Sequence, residues 1–227
     1  MARTLNLAVH TVRREAFVDA AMRLMLTKGY ERMSIQDLLD DVAASRGAFY
    51  HYFDSKQALL EAVIERMVDQ ALGAVEPVVD DRSLSAGAKL QQVFSTIGRW
   101  KTERKPLMLA LLEVWMSDHN AVVREKLRRR MVGRTSEMLT PIIQQGIDEG
   151  TFQADSATYT ARVFVMLLLG FQDVAIELFF DRQAGRIELA DVEAAFANYT
   201  QAFERVLGAP RGSIDLIDQA VLRAWFK

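Results

Sequence analysis

The chain has 227 residues, half of them hydrophobic, with a formal net charge of −2 and no cysteine. That length holds one large domain or two small ones with an ample core, and so balanced a charge confines any nucleic-acid footprint to a local patch. The lack of cysteine excludes a disulfide framework and a thiolate-bound metal.

Four prolines occur, at positions 77, 106, 141 and 210. Apolar residues recur at helical spacing almost everywhere, so the chain reads as all-α without internal repeats. Residues 1–10 read as a loose arm. From Val12 to Lys28 a helix is marked by the stripe Phe17, Ala21, Leu24 and Met25, with Lys28 and Gly29 suited to its C-terminal end. Ser34 can cap a second helix, and Asp37, three residues on, completes a shortened capping box. Ile35, Leu38, Leu39 and Val42 share one face of that helix. Ala43 and Ala44 make the turn, and Ser45 caps a third helix. Asp54-Ser55 then interrupts, and a long fourth helix starts near Lys56, with Leu59, Leu60, Val63, Ile64, Met67 and Ala71 as its apolar residues. Pro77 and the polar stretch 80–85 are expected to end it.

Further helices are expected at about 84–103, 106–117, 121–149, 156–181 and 188–207. Pro106 suits a first helical turn, whereas Pro141 should kink its helix. From Ser213 onward, Ile214, Ile217, Val221 and Trp225 fall on one stripe, so the tail is expected to dock. The expected domains are 1–56, a helix-turn-helix module, 57–209, a larger helical domain, and 210–227, a C-terminal helical appendix. The nine-residue apolar run 163–171 is followed at once by Gln172, Asp173 and Glu177, well short of the roughly 20 residues of a membrane span. The N-terminus lacks a secretory signal's apolar core. A cytoplasmic protein with no membrane partner is expected.

The chemistry concentrates in residues 45–53, Ser-Arg-Gly-Ala-Phe-Tyr-His-Tyr-Phe. At about 100° per residue, Phe49 and Phe53 share one face, while Gly47 and His51 lie opposite, flanked by Ala48 and Tyr50. A short helix held by aromatics on one side and small or polar on the other suits insertion into a DNA major groove. Glycine in a helix costs roughly 1 kcal/mol against alanine, so Gly47 calls for a reason. Close approach of a phosphate backbone is one, and a frayed first turn is the other. Phe49 and Phe53 read as core, and Tyr52 as packing.

The pattern Ser34-Ile35-x-Asp37-Leu38, then residues 45–53, then Ser55-Lys56-x-x-Leu59-Leu60, resembles the tetracycline-repressor (TetR) family of bacterial transcription regulators. The stretch Gly146-Ile147-Asp148-Glu149-Gly150-Thr151-Phe152 resembles the end of the family's seventh helix. Two positions depart from the pattern. Ala43 stands where the family commonly has a turn glycine, tolerable if the turn stays helix-like, and Ala48 stands where it has a threonine. The resemblance implies a homodimer that places one third helix per subunit in successive major grooves of a palindromic double-stranded operator. On this reading Ser34, Gln36, Ser45, Arg46, Gly47, Ala48, Tyr50, His51 and Lys56 contact DNA, most of them at phosphates. Arg13 and Arg14 add backbone charge.

The second domain would then bind an unidentified small-molecule effector and a twin subunit. Trp100, Met108, Leu111, Trp115, Met138, Phe164, Leu168, Phe171 and Gln172 are the candidate ligand residues, since an apolar, methionine-rich bundle suits a greasy or amphipathic guest, although it equally suits an ordinary core. Leu112 belongs to the same stretch, and Glu113 and Asp173 are further candidates for its polar end. Gly170, Ala175, Ala194, Ala197 and Phe203 are the candidate dimer residues, on two helices that by resemblance pair with their copies as a four-helix bundle. The run Arg124, Lys126, Arg128, Arg129, Arg130 and Arg134 reads as a solvated helix face. No cofactor is expected, and with three histidines and no cysteine no catalytic or metal-binding constellation is recognisable. The alternative to ligand control is a DNA-binding or architectural protein governed by a protein partner.

Overall fold

The computed structural model describes residues 2–117 and 120–227, with side chains for all of these except 2–9 and Glu113. Among the described residues there are ten α-helices and no strand: α1 (Ala2–Lys28), α2 (Ile35–Val42), α3 (Arg46–Tyr52), α4 (Lys56–Asp80), α5 (Ala86–Glu103), α6 (Lys105–Met116), α7 (Ala121–Asp148), α8 (Ala157–Gln183), α9 (Leu189–Leu207) and α10 (Gln219–Phe226). They form two compact units, Met1–Gln70 with Arg104–Leu127, and Ala71–Glu103 with Arg128–Lys227. The helices α4 and α7 contribute to both.

This grouping differs from the division expected at 56/57 and 209/210. Helix α6 packs on α1 and so groups with the N-terminal helices, and the tail is an integral part of the second unit, with Ile214 and Leu216 in its core. The expected loose arm at 1–10 is also corrected, because α1 is helical from Ala2. Residues 1–28 contain neither glycine nor proline, so nothing breaks the helix before Phe17.

In the first unit, Phe17, Val18, Ala21 and Met25 of α1 are buried, as are Leu38, Phe49, Phe53, Leu59, Leu60 and Val63. The ring of Phe17 meets that of Phe49 edge-on at 5.5 Å. Arg66 of α4 pairs with Glu15 at 2.9 Å and with Asp19, tying α4 to α1. Burial works against its charge, but the two carboxylates outweigh it and hold the guanidinium above its usual range. Helix α4 does not stop at Pro77, which sits in its last turn, where the missing N–H removes one bond. Pro141 likewise lies inside α7.

The second unit is centred on Leu90, Leu139, Ile142, Ile143, Ala161, Phe164, Val165, Phe203 and Leu207, with the rings of Phe164 and Phe203 4.6 Å apart. The end of α7 shows why its glycines are needed. A Cβ on Gly146 would lie 2.1 Å from the Phe152 ring, and Gly150 takes φ +70°, the left-handed conformation that closes a helix. The Glu149 carboxylate then accepts the Ala86 N–H at 3.0 Å and caps α5. The tail docks as expected but with another register. Only from Gln219 is it helical, capped by Asp218, and Leu222 and Phe226 point inward. Val221 packs 3.1 Å from where Gly98 would carry a Cβ, and Trp225 Nε1 donates to Thr102 Oγ1 at 2.9 Å.

Helix α8 alone among the described residues has the length and composition to cross a membrane, with mean hydropathy 2.0 over its most apolar stretch. Only 22% of that stretch is buried: Ala161, Phe164 and Val165 face the core, while Val163 and Met166 are exposed.

Candidate nucleic-acid interface

The third helix is set by its two neighbours. Ser34 Oγ accepts the Asp37 N–H at 3.1 Å, and the Asp37 carboxylate accepts both the N–H and the hydroxyl of Ser34 at 2.9 Å. Lys28 approaches the same carboxylate at 2.5 Å. Its hydrogen bond, followed by those from Ser34, pulls the Asp37 carboxyl down to about 2. The capping box read from the sequence is therefore present, and it commits the Ser34 hydroxyl to the protein.

Helix α2 ends in an αL cap at Ala43, φ 51° and ψ 50°. The Ala43 N–H donates to Asp40 O and the Ala44 N–H to Leu39 O, 3.4 and 3.0 Å, which is the Schellman pairing usually made by glycine. The turn is thus left-handed, not helix-like as the alanine suggested. Among the described residues Ala43 is the one non-glycine with positive φ.

Ser45 then caps α3 by accepting the Ala48 N–H at 3.2 Å, a bond that does not use its own hydroxyl proton. Phe49 and Phe53 are buried, while Arg46, Gly47, Tyr50 and His51 are exposed and Ala48 is half-buried. A Cβ on Gly47 would meet only Ser45 Oγ, at 3.9 Å. Nothing inside the protein requires that glycine. Arg46 lies 5.9 Å from the Tyr50 ring centre, a loose cation–π contact. Gln36 is exposed, its amide donating to Asp40 at 2.8 Å. Lys56 is half-buried, 4.2 Å over the Tyr30 ring and donating to Glu31 O at 3.2 Å. Burial pushes its pKa down, and it pushes the Tyr30 hydroxyl up to about 12.

Ser34, Gln36, Ser45, Arg46, Gly47, Ala48, Tyr50, His51 and Lys56 all belong to the first unit, around α2, α3 and the start of α4. The sequence reading missed His10, whose ring lies 5.4 Å from His51 and 4.6 Å from Tyr52. The signal was available: His10, Arg14 and Phe17 continue the α1 stripe backward at i, i+4, i+7, and Arg14 lies 5.2 Å over Phe53.

The candidate ligand residues are divided between the units. Met108, Leu111 and Trp115 are on α6 in the first, where Leu111 and Trp115 join Leu60, Ile64, Val123 and Arg124 around a cleft of about 10 Å³, room for one water. Trp100, Met138, Phe164, Leu168, Phe171 and Gln172 are in the second unit, with Phe164 fully buried and Met138, Leu168 and Phe171 packed against its core. The side chain of Glu113 lies outside the described residues. Of the candidate dimer residues, Gly170 and Ala175 are half-buried on α8, and Ala194 and Ala197 are exposed on α9. Phe203 is 2 % exposed and stacked on Phe164, so its area is spent inside its own unit. Exposed instead are Tyr159, Val163 and Met166, at 74, 52 and 55 %. They precede Gly170 on one face of α8, opposite Ala161, Phe164 and Val165. In the basic run, Arg124 donates to the Trp115 carbonyl and Lys126 pairs with Glu61 at 2.6 Å.

Residues 17–63 match the family model described as bacterial regulatory proteins, tetR family. The chain is 26% identical over 180 residues to the uncharacterized HTH-type transcriptional regulator YfiR of Bacillus subtilis, covering 77% of this chain and 84% of that one. It is 21% identical over 154 residues to the HTH-type transcriptional repressor KstR2 of Rhodococcus jostii, covering 63% and 69%. In fold it is similar to a TetR transcription regulator from Haloarcula marismortui, with a TM-score of 0.61 and 22% identity over 87% of this chain and 97% of that one. The relatives are transcription regulators and not enzymes. Residues 17–63 thus carry the N-terminal module of the tetR family of bacterial regulatory proteins, within an all-α fold similar to that of a solved TetR regulator.

Proposed function

We propose that this regulator binds a palindromic operator as a homodimer and is released from it by a small apolar or amphipathic effector, acting as a repressor in the cytoplasm. The observation that carries the reading is the division of α3 into a buried face, Phe49 with Phe53, and an exposed face, Arg46, Gly47, Tyr50 and His51. A glycine without an internal reason fits a backbone that must come close to another surface. The Ser45 hydroxyl and Arg46 reach phosphates or base edges, and Tyr50 and His51 supply a hydroxyl and an imidazole. The exposed apolar row of α8, with the small residues Ala194 and Ala197 of α9, supports a twin subunit packed across these helices. Repression is favoured by the relative named as a repressor.

The two reading helices must then suit grooves roughly 34–36 Å apart, and an effector that prefers another spacing lowers DNA affinity. Since the cleft around Leu111 and Trp115 holds only about 10 Å³, a larger guest must open its own space. Selection of bound duplexes from a random pool tests the DNA reading, and a palindrome with two subunits per duplex is the expected result. A ternary complex of effector and operator at full DNA affinity would contradict the release mechanism. Mass spectrometry of the purified protein separates ligand control from control by a protein partner, for which no co-purified apolar molecule is expected.

A further inference from the structure

We propose that His10 is part of the DNA-reading surface as the positioning partner of His51, and that the two imidazoles take up protons when a duplex arrives, so that operator affinity rises as the solution becomes more acidic. The proposal rests on the operator reading above and adds a residue and a regulating variable to it.

Three rings meet where α1 crosses the end of α3. His10 is 5.4 Å from His51 and 4.6 Å from Tyr52, and His51 is 5.0 Å from Tyr52, all edge-on. His51 is thus contacted on two sides, by a ring of its own helix and by one from α1. Both histidines are exposed, and among the described residues neither imidazole has a hydrogen-bond or ion-pair partner, which leaves their ring nitrogens available to a ligand.

The charges around the pair do not neutralise it. From α1 come Arg13 and Arg14, the latter engaged by Glu15 at 3.1 Å and lying over Phe53, while Glu15 is also held by Arg66. From α3 come Arg46, Tyr50 and Tyr52, and from the following turn Asp54, which is exposed. At the start of α4, Lys56 is held by Tyr30 and Glu31. Among the described residues no carboxylate pairs with either imidazole, and duplex DNA offers one phosphate per about 1.7 Å of axis. A phosphate beside a histidine favours its charged form. Protons are then taken up on binding, and the gain in affinity is full in acid and lost as pH rises past the range where histidine titrates.

The test is fluorescence anisotropy with the duplex recovered by random-pool selection, read between about pH 5.5 and 8, for the full-length wild type, His10→Gln and His51→Gln. The expected wild-type result is a fall in affinity of at least about tenfold per pH unit at the steepest point, corresponding to at least one proton taken up per bound duplex. In His10→Gln that slope is at least halved while the thermal transition stays unchanged, because the residue is exposed. A wild-type affinity independent of pH, or a His10→Gln slope equal to that of the wild type, overturns the proposal and leaves operator binding intact. If no duplex is bound at any pH, the operator reading falls and this inference falls with it.

Discussion

Replacing Ala43 with glycine should stabilise the first unit. Ala43 sits at φ 51°, ψ 50°, a conformation that costs an L-residue roughly 1–2 kcal/mol. Glycine removes that strain but adds about 0.4–1 kcal/mol of unfolded-chain entropy to be lost. The difference leaves a net gain of about 0.5–1 kcal/mol, and at about 2–4 °C per kcal/mol for a chain of this size Tm rises by about 1–4 °C. The neighbouring Ala44, which has no positive φ, is the control: Ala44→Gly should destabilise by about 0.5–1 kcal/mol through the entropy cost alone. Paired thermal and urea melts followed by circular dichroism read both. An Ala43→Gly variant no more stable than the wild type, or two variants shifting in the same direction, would refute the strain argument.

Gly47→Ala should move stability and function in opposite directions. The added Cβ makes only an ordinary contact, with Ser45 Oγ at 3.9 Å, so helix stability rises by up to about 1 kcal/mol while DNA affinity falls, and titration of the selected duplex beside a melt shows whether the two diverge. Asp37→Asn should flatten the acid limb of stability. Its carboxyl is held at about 2 in the folded chain, so its contribution is present above the ordinary carboxylate pKa and fades as pH falls from roughly 5 toward 2; a variant melting with the wild-type acid slope speaks against that cap. Gly146→Ala should cost about 1–3 kcal/mol or more, because a Cβ there would lie 2.1 Å from the Phe152 ring and one of them must move. Denaturant unfolding of the purified variant measures it, and a loss below about 0.5 kcal/mol, the size of an ordinary surface change, would contradict the packing.

What could be read from the sequence was what depends on near neighbours. Ser34 with Asp37 and Ser45 with Ala48 are contacts three residues apart, and they fix the starts of α2 and α3 wherever those helices end up. The two-faced character of α3 was equally local, since i and i+4 residues share a side in any helix. What required tertiary contacts was not legible. Phe203 and the Tyr159, Val163 and Met166 row are all apolar at helical spacing, yet the first is buried against Phe164 and the others face outward. Periodicity shows that a face is apolar and does not say what covers it. The tail's expected register was off by one position for the same reason: Val221 and Trp225 do make contacts, but Leu222 and Phe226 are the buried pair, because the residues before Gln219 are not helical and do not set the helical phase. Ala43 was misjudged because backbone hydrogen bonds to Leu39 and Asp40, and not the side chain, decide the turn.

The central claim is that α3 reads DNA through Tyr50 and His51. The measurement that tests it most directly is duplex selection from a random pool with the wild type and with the Tyr50→Ala/His51→Ala variant in parallel. The account predicts a palindrome enriched by the wild type and lost in the variant, with both proteins equally folded by circular dichroism. Enrichment of the same palindrome by both would show that the reading surface lies elsewhere, and the claim would be wrong.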